Sequence, residues 1–251
     1  MILRKANFPK QEHNREFKQI TTNDSRFYED GKLTYPSVTF VLSYYPKGKH
    51  FEEWLKRVGY ASDFIAKKAA DEGTLVHNLV EQYLLGKKVD LMENENPKYD
   101  IKVWKMFLRF VEFWETTKAE LVETEVFLYS DSLNVAGTCD LVCKINDKLW
   151  VIDLKTSNQL QTTYDIQAAV YSRCFEECYD QKVDNVGILW LKSSKRGPKK
   201  GSLQGKGWEV YESKRTQDEN LKIYKHVRAL FDLENPNLKP ISEKWPTSVQ
   251  R

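Results

Sequence analysis

The sequence predicts an α/β domain in which a mixed central β-sheet is flanked by helices, with an amino-terminal helical layer on one side of the sheet. The first half of the chain shows helical periodicity. The second half contains short alternating segments rich in β-branched and aromatic residues. A chain of 251 residues with 41% hydrophobic content is long enough to bury a substantial core in one such domain.

The first thirty or so residues are charged and only weakly periodic, so residues 1–35 are predicted to form a loosely docked extension. The helical layer follows within residues 36–120, with predicted helices at 51–58, 61–71, 75–85 and 99–118. Thr74 is predicted to cap the third of these helices. On that helix His77 and Glu81 are four residues apart and share one side, which makes them a pair able to bind a ligand.

The sheet and its covering helices are predicted within residues 121–235, and residues 236–251 form a tail. The predicted strands are 123–129, 135–145, 149–154, 186–192 and 208–212. A helix at 164–179 should cover the face of the sheet opposite the helical layer, and a last helix spans 217–233.

Asn146 and Asp147 form a turn pair that tolerates positive φ, so the strands on either side of them are predicted to pair as a hairpin. Counting back from this turn pairs Leu141 with Ile152 and then Asp140 with Asp153. The two carboxylates become direct cross-strand neighbours.

Alternation along the hairpin separates an apolar face, predicted to be core, from a face with three charges at one end. The apolar face comprises Cys139, Leu141, Cys143, Ile145, Trp150, Ile152 and Leu154. The charged group is Asp140, Asp153 and Lys155. Because opposed like charges destabilise a sheet unless neutralised, a divalent cation such as Mg²⁺ or Mn²⁺ is predicted there. The alternative is that Lys155 only pairs with Asp153 across a solvated edge.

Gln167, Tyr171, Cys174 and Cys178 are spaced by four, three and four residues, so they share one face of the helix at 164–179. Gln167 and Tyr171 lie nearest its start.

Together these segments resemble the PD-(D/E)XK nuclease superfamily, and within it the RecB-type and phage exonuclease branch. The resemblance extends from about Pro36 to Phe175, and its order and spacing make it specific. It is carried by Pro36-Ser-Val-Thr39, Gly73-Thr-Leu-Val-His77, Glu125-Val-Phe, Ala136-Gly-Thr-Cys-Asp140, Val151-Ile-Asp-Leu-Lys155-Thr-Ser and Gln167-Ala-Ala-Val-Tyr171. The chain lacks the name-giving proline before Asp140, and its second acid is Asp rather than Glu; both departures are common in this branch.

The resemblance implies a restriction-endonuclease-like fold whose helical layer roofs the cleft, and it implies roles for the shared residues. Mg²⁺ or Mn²⁺ would be bound by His77, Asp140, Asp153 and the carbonyl of Leu154. Lys155 would orient or activate the attacking water, and Gln167 and Tyr171 would position DNA. Glu81 and Glu125 each fit three interpretations equally: an outer-sphere group, a ligand of a second metal, or an exposed acid.

Some RecB-type relatives hold an iron–sulfur cluster through four cysteines, but none is expected here. Two cysteines four residues apart on a strand, as Cys139 and Cys143 would be, have Cα atoms ~13 Å apart at ~3.3 Å per residue. The Cys-x₂-Cys element of thiolate clusters is also absent. Buried reduced thiols are the predicted state.

A cationic stretch joins the last two predicted strands. Its basic residues are Lys192, Lys195, Arg196, Lys199, Lys200 and Lys206, with no acid among them. Such a loop suits contact with the phosphate backbone of DNA, and the alternative is a solvated surface loop. Its glycines do not match the phosphate-binding loop of nucleotide hydrolases, so the chain is predicted to carry no motor of its own.

Zinc-protease and serine-hydrolase chemistry are excluded by the missing His-x₃-His and Gly-x-Ser-x-Gly motifs. No long apolar run or secretory leader is present, so no membrane contact and a cytoplasmic location in a bacterial or phage-infected cell are expected. The predicted function is a metal-dependent DNA exonuclease acting on single-stranded or duplex ends in recombination, replication or DNA degradation. A structure- or site-specific endonuclease is one alternative. A non-catalytic nucleic-acid-binding subunit is another, although it would not need the juxtaposed acids.

Overall fold

The computed structural model describes residues 15–22, 25–193 and 207–240. The described helices are α1 (Val38–Leu42), α2 (Lys49–Val58), α3 (Ser62–Leu84), α4 (Ile101–Thr117), α5 (Thr162–Tyr179) and α6 (Gln217–Glu234). The described strands are β1 (Lys18–Thr21), β2 (Arg26–Glu29), β3 (Thr34–Pro36), β4 (Met92–Glu93), β5 (Asn96–Pro97), β6 (Glu120–Ser130), β7 (Val135–Ile145), β8 (Lys148–Lys155), β9 (Asn185–Ser193) and β10 (Gly207–Tyr211).

The central sheet has five strands in the order β10-β9-β8-β7-β6. Strands β8 and β9 are parallel and are joined through α5, while the other neighbours in the sheet are antiparallel. The sheet is therefore mixed and flanked by helices, which confirms the predicted fold class.

Each face of the sheet has its own apolar core. On one face α3 and α4 pack through residues such as Val80 and Phe110 against Leu141 and Ile152. On the other face α5 covers the strands, with α1 and α6 packed around it, and Val142 and Val151 are fully buried there. Both faces of the hairpin are thus core, whereas the sequence assigned only one of them to it.

The β7–β8 hairpin has the predicted turn, and the predicted register holds as far as Leu141 and Ile152, but the expected pairing of Asp140 with Asp153 is not formed. Asn146 and Asp147 have φ values of 51° and 62°, and the last paired residues are Leu141 and Ile152. One facial assignment is wrong: Cys139 lies in the core beneath α5 and not with Leu141 and Cys143. The alternation changes at the end of the paired region, where Asp140 lies.

The predicted break between two helices at residues 72–74 is wrong, because α3 is continuous across it. Thr74 does not cap a helix; its hydroxyl donates to the carbonyl of Ala70 at 3.0 Å. Gly73 faces the loop after β8, where an added Cβ would lie 3.0 Å from Oγ1 of Thr156. The long helix therefore reaches the end of β8 at a glycine.

Residues 15–22 and 25–36 are not loosely docked, although the sequence predicted a loose extension there. They form the three-stranded sheet β1-β2-β3, and Tyr28 and Tyr35 are buried in the core that also contains α5. The hydroxyl of Tyr35 donates to Oδ1 of Asp131 and accepts from Arg15. These long-range contacts hold a segment whose own periodicity is weak. Within the described ranges, no helix is both long and apolar enough to cross a membrane.

Candidate active site

The side chains singled out in the sequence converge where the hairpin pairing ends. Helix α3 brings His77 from one side of the sheet, and α5 brings Gln167 from the other. Asp140 lies in the middle of β7, just past the point where its pairing with β8 ends, and Asp153 lies near the end of β8. Beyond Ile152, the last residue of β8 that pairs with β7, the backbone N–H of Leu154 donates to Oδ2 of Asp140 at 2.7 Å.

His77, Glu125 and Asp140 form a compact group of possible metal ligands. Nδ1 of His77 is 3.3 Å from Oδ1 of Asp140 and 3.5 Å from Oε1 of Glu125. All three residues offer ligand atoms within 4.8 Å of one another. Glu81 does not join this group, so the structure separates two acids that the sequence left equivalent.

Glu125 has a φ of 47° within strand β6, in the left-handed region that residues other than glycine seldom adopt. It lies between Thr124 and Val126, which pair with Leu141 and Cys139 on β7. Such strain costs on the order of 1–3 kcal/mol and persists where the surroundings enforce it. Here it accompanies a carboxylate directed at His77.

The charges in this group reinforce one another. Burial favours neutral His77, but the carboxylates of Asp140 and Glu125 outweigh it and raise the pKa of His77 to about 10. Burial likewise favours protonated Asp140, but His77, Lys155 and the Leu154 N–H together lower the pKa of Asp140. In the metal-free protein the imidazole is therefore protonated at neutral pH.

Asp153 is buried beside the ammonium group of Lys155. Its side chain is 1% exposed, and its Oδ2 lies 2.6 Å from Nζ of Lys155. Burial and the charge of Asp140 raise the pKa of Asp153 even against the opposing effect of Lys155. The Lys155–Asp153 pair expected by the simpler interpretation is thus present, but it is buried and not on a solvated edge.

A chain of contacts continues from Lys155 into α5. Nζ of Lys155 donates to Oε1 of Gln167 at 3.3 Å, and Nε2 of Gln167 donates to the hydroxyl of Tyr171 at 3.4 Å. The Tyr171 ring lies over Gly137 of β7, where an added Cβ would be only 2.8 Å from Cε1 of the ring. Nζ of Lys155 also lies 4.7 Å from the ring centroid of Tyr164.

The residues present fit a hard divalent cation. His77, Glu125 and Asp140 supply one imidazole nitrogen and two carboxylates. Within the described residues, Oδ1 of Asp153 is buried without a hydrogen-bond partner, and such an atom is costly unless something coordinates it. Oxygen-rich ligand sets with one imidazole suit Mg²⁺ or Mn²⁺.

Other residues that the sequence singled out lie elsewhere or outside the described ranges. Nζ of Lys192 donates to Oδ1 of Asn158 at 3.3 Å. Lys195, Arg196, Lys199, Lys200 and Lys206 lie outside the residues that the structure describes. The four cysteines are buried free thiols, and Cys139 and Cys143 lie in different cores. Sequence reasoning missed Tyr164, although its position three residues before Gln167 on one helix could have indicated it.

Comparisons with known proteins give a matching nuclease superfamily and two proteins to which the chain is similar. A profile of the PD-(D/E)XK nuclease superfamily matches residues 50–245. An uncharacterized protein of Ureaplasma parvum serovar 3 is 28% identical over 167 residues, which cover 63% of this chain and 74% of that protein. The crystal structure of a "Putative exonuclease" from Eubacterium rectale matches with 13% identity and a TM-score of 0.40, covering 72% of this chain and 77% of the other.

Proposed function

Because the chain belongs to the PD-(D/E)XK nuclease superfamily, we propose that it is a deoxyribonuclease dependent on Mg²⁺ or Mn²⁺, and an exonuclease of the RecB-type and phage branch. The observation that carries the proposal is the buried Asp153–Lys155 pair next to the His77–Glu125–Asp140 group. Burying so many charges together is costly, and a protein that only binds DNA would gain nothing from it.

His77, Asp140, Asp153, Glu125 and the Leu154 carbonyl would hold the metal. When bound, the cation supplies polarisation of a water molecule and of the phosphodiester oxygens. Lys155 then orients the attacking water and stabilises the negative charge that grows on the phosphate. Gln167 and Tyr171 position the DNA strand, and Gln167 also contacts Lys155.

Helices α3 and α5 lie on either side of the site. Gly73 of α3 lies against Thr156, immediately after Lys155, and α5 contacts Lys155 from the opposite side through Gln167. A DNA strand would enter between these helices, which favours an end that can be threaded. A structure- or site-specific endonuclease remains the second candidate, since the same ligands and lysine serve either mode of cleavage.

End-labelled linear DNA incubated with Mg²⁺ tests the proposal. We expect cleavage that EDTA and Asp140→Asn abolish. Lys155→Ala should lower the turnover rate by ~10²-fold or more, the scale of losing one charge that stabilises the transition state, with DNA affinity little changed. Lys148→Ala, an exposed lysine of the same strand, is the matched control.

Full activity in excess EDTA would refute metal dependence. DNA binding without any cleavage by the wild-type protein would instead support the non-catalytic binding subunit.

A further inference from the structure

Among the described residues, the ammonium group of Lys155 contacts Asp153 and Gln167, which the proposed function uses, and also an aromatic ring, which it does not use. Oδ2 of Asp153 lies at 2.6 Å and Oε1 of Gln167 at 3.3 Å. The third neighbour is the ring of Tyr164, whose centroid is 4.7 Å from Nζ. A lysine stem has several freely rotating bonds, so its ammonium is fixed only where neighbours bound it on each open side.

Tyr164 belongs to the same face of α5 as the residues already assigned to the site. It stands in the first turn, three residues before Gln167 and seven before Tyr171, a spacing that aligns side chains along one face. Gln167 and Tyr171 are buried, whereas Tyr164 is half-buried and so lies nearer solvent. Of the two α5 residues that contact Lys155, Tyr164 therefore lies nearer solvent than Gln167.

Contact with the ammonium is made by the ring of Tyr164 and not by its hydroxyl. The π face of an aromatic ring attracts a cation within about 6 Å of its centroid, and the attraction grows when the pair is desolvated. The side chain of Lys155 is only 17% exposed, so the pair is largely shielded from water.

From these contacts we infer that Tyr164 is a positioning residue, whose ring holds the Lys155 ammonium in place for the attack on phosphorus. This inference rests on the proposed function. The ring contacts the ammonium of Lys155 and prevents the side chain from swinging out of the site. Its effect falls on the chemical step, because a displaced ammonium no longer faces the scissile phosphate.

Two substitutions separate the ring from the hydroxyl. Tyr164→Phe keeps the π face, so kcat should equal that of the wild type. Tyr164→Leu keeps apolar bulk but removes the π face, and kcat should fall about 5- to 10-fold, the scale of one shielded cation–π interaction. KM and DNA affinity should stay unchanged in both variants. A Phe variant as slow as the Leu variant would transfer the role to the hydroxyl and overturn the inference.

A double-variant cycle with Lys155→Ala tests whether Tyr164 acts through Lys155. If it does, adding Tyr164→Leu to Lys155→Ala should change kcat by less than about twofold, since the ammonium that the ring holds is already absent. If the reductions in kcat from the two substitutions instead multiply, Tyr164 acts on DNA or on the fold independently of Lys155, which contradicts the inference.

An NMR signal gives a readout besides activity. The Tyr164 ring should shift the ε-methylene resonance of Lys155 upfield. This resonance can be assigned because it is missing from the spectrum of Lys155→Ala. The upfield shift should persist in Tyr164→Phe and vanish in Tyr164→Leu. Wild-type cleavage with unchanged kcat in Tyr164→Leu would overturn this inference alone. Absence of any metal-dependent cleavage by the wild type would overturn the proposed function, and the positioning role with it.

Discussion

When no metal is bound, two cationic side chains of the site partly offset the charges of three carboxylates. Protonated His77 lies between the carboxylates of Asp140 and Glu125, and Lys155 neutralises Asp153. These ion pairs offset the repulsion that the sequence predicted between the carboxylates of Asp140 and Asp153. They also mean that a metal must displace a proton from His77 before the imidazole can act as a ligand.

Metal affinity should therefore depend on pH. Because the pKa of His77 is raised to about 10, the imidazole is protonated throughout neutral pH, and each metal ion bound through His77 should release one proton. Affinity should rise up to ~10-fold per pH unit between pH 6.5 and 9. Calorimetric titration with Ca²⁺ in two buffers of different ionisation enthalpy measures the proton release, with His77→Asn as the control.

Binding that is independent of pH and releases no proton would contradict His77 as a ligand.

The raised pKa of His77 also makes the stability of the metal-free protein depend on pH. The protonated His77 contributes stability to the metal-free protein that is fully present below the unfolded pKa near 6.5 and is lost as pH rises through about 10. Denaturation in EDTA at pH 7 and pH 10 should show a loss on the order of 2 kcal/mol that His77→Asn lacks.

At the scale of single residues, the sequence predicted that Asp140, Asp153 and Lys155 lie close together, and the hairpin turn and register from which this was inferred are present as far as Leu141 and Ile152. Choosing Glu125 over Glu81 required the structure. Glu125 has a positive φ in β6, between residues that pair with β7, and no local pattern in the sequence encodes this conformation.

At the scale of elements, the site depends on close packing between β7 and α5. Gly137 leaves room for the Tyr171 ring, and Tyr171 accepts a hydrogen bond from Gln167, which in turn contacts Lys155. A change in this packing should therefore displace Lys155 through Tyr171 and Gln167.

We expect Gly137→Ala to lower both stability and activity. Its Cβ would lie 2.8 Å from Cε1 of Tyr171, so the ring must move. Overpacking of this kind costs typically ~1–3 kcal/mol in the free energy of unfolding. The displaced Tyr171 should loosen Gln167 and reduce kcat. Chemical denaturation and steady-state kinetics measure the two effects.

Gly187→Ala on β9 is the matched control, because its Cβ would lie 2.9 Å from Cγ1 of Val210. Val210 packs against the core beneath α3 and α4, whereas Tyr171 belongs to the core on the other face of the sheet. The control should lose comparable stability while kcat of the folded enzyme stays near that of the wild type. Equal reductions of kcat in the two variants would show that any strain in the sheet has this effect.

The sequence predicted β7, β8, α4, α5 and α6 closely, because each combines strong periodicity with a clear boundary signal. It wrongly divided α3, since Gly73 and Thr74 are common at helix ends. It missed β1–β3 altogether. The formation of these strands depends on Tyr28 and Tyr35, which pack into a core made by residues distant in sequence, and such contacts leave no local signal.

At the scale of the whole molecule, the net charge is only +3, but positive charge is concentrated in the segment between β9 and β10. Replacing Lys195, Arg196, Lys199 and Lys200 by Ala should weaken DNA binding and flatten its dependence on salt. The expected change is ~0.7–0.9 in the log–log slope for each phosphate that the variant no longer neutralises. Turnover at saturating DNA should change little.

The control replaces four exposed lysines elsewhere, Lys182, Lys222, Lys225 and Lys239, for the same change in net charge. Binding titrations between about 50 and 200 mM salt compare the two variants. An unchanged slope in the loop variant would leave this segment as an ordinary solvated loop.

If the protein is the proposed exonuclease, cleavage should begin at DNA ends, because we expect a strand to reach the site between α3 and α5. His77 belongs to α3, which also lies against Thr156 just after Lys155, so the helix that carries His77 would line one side of this approach. A single strand passes such an opening more readily than a duplex, and frayed or single-stranded ends should be preferred.

An end-labelled linear oligonucleotide and a sealed single-stranded circle of similar sequence, both with Mg²⁺, distinguish the two modes of cleavage. Progressive shortening of the linear form beside an intact circle supports the exonuclease, since a circle offers no end to thread. Asp140→Asn must abolish cleavage of either substrate, which excludes a contaminating nuclease. Efficient nicking of the circle by the wild type would mean that the strand enters sideways between α3 and α5, and the endonuclease would then be the better description.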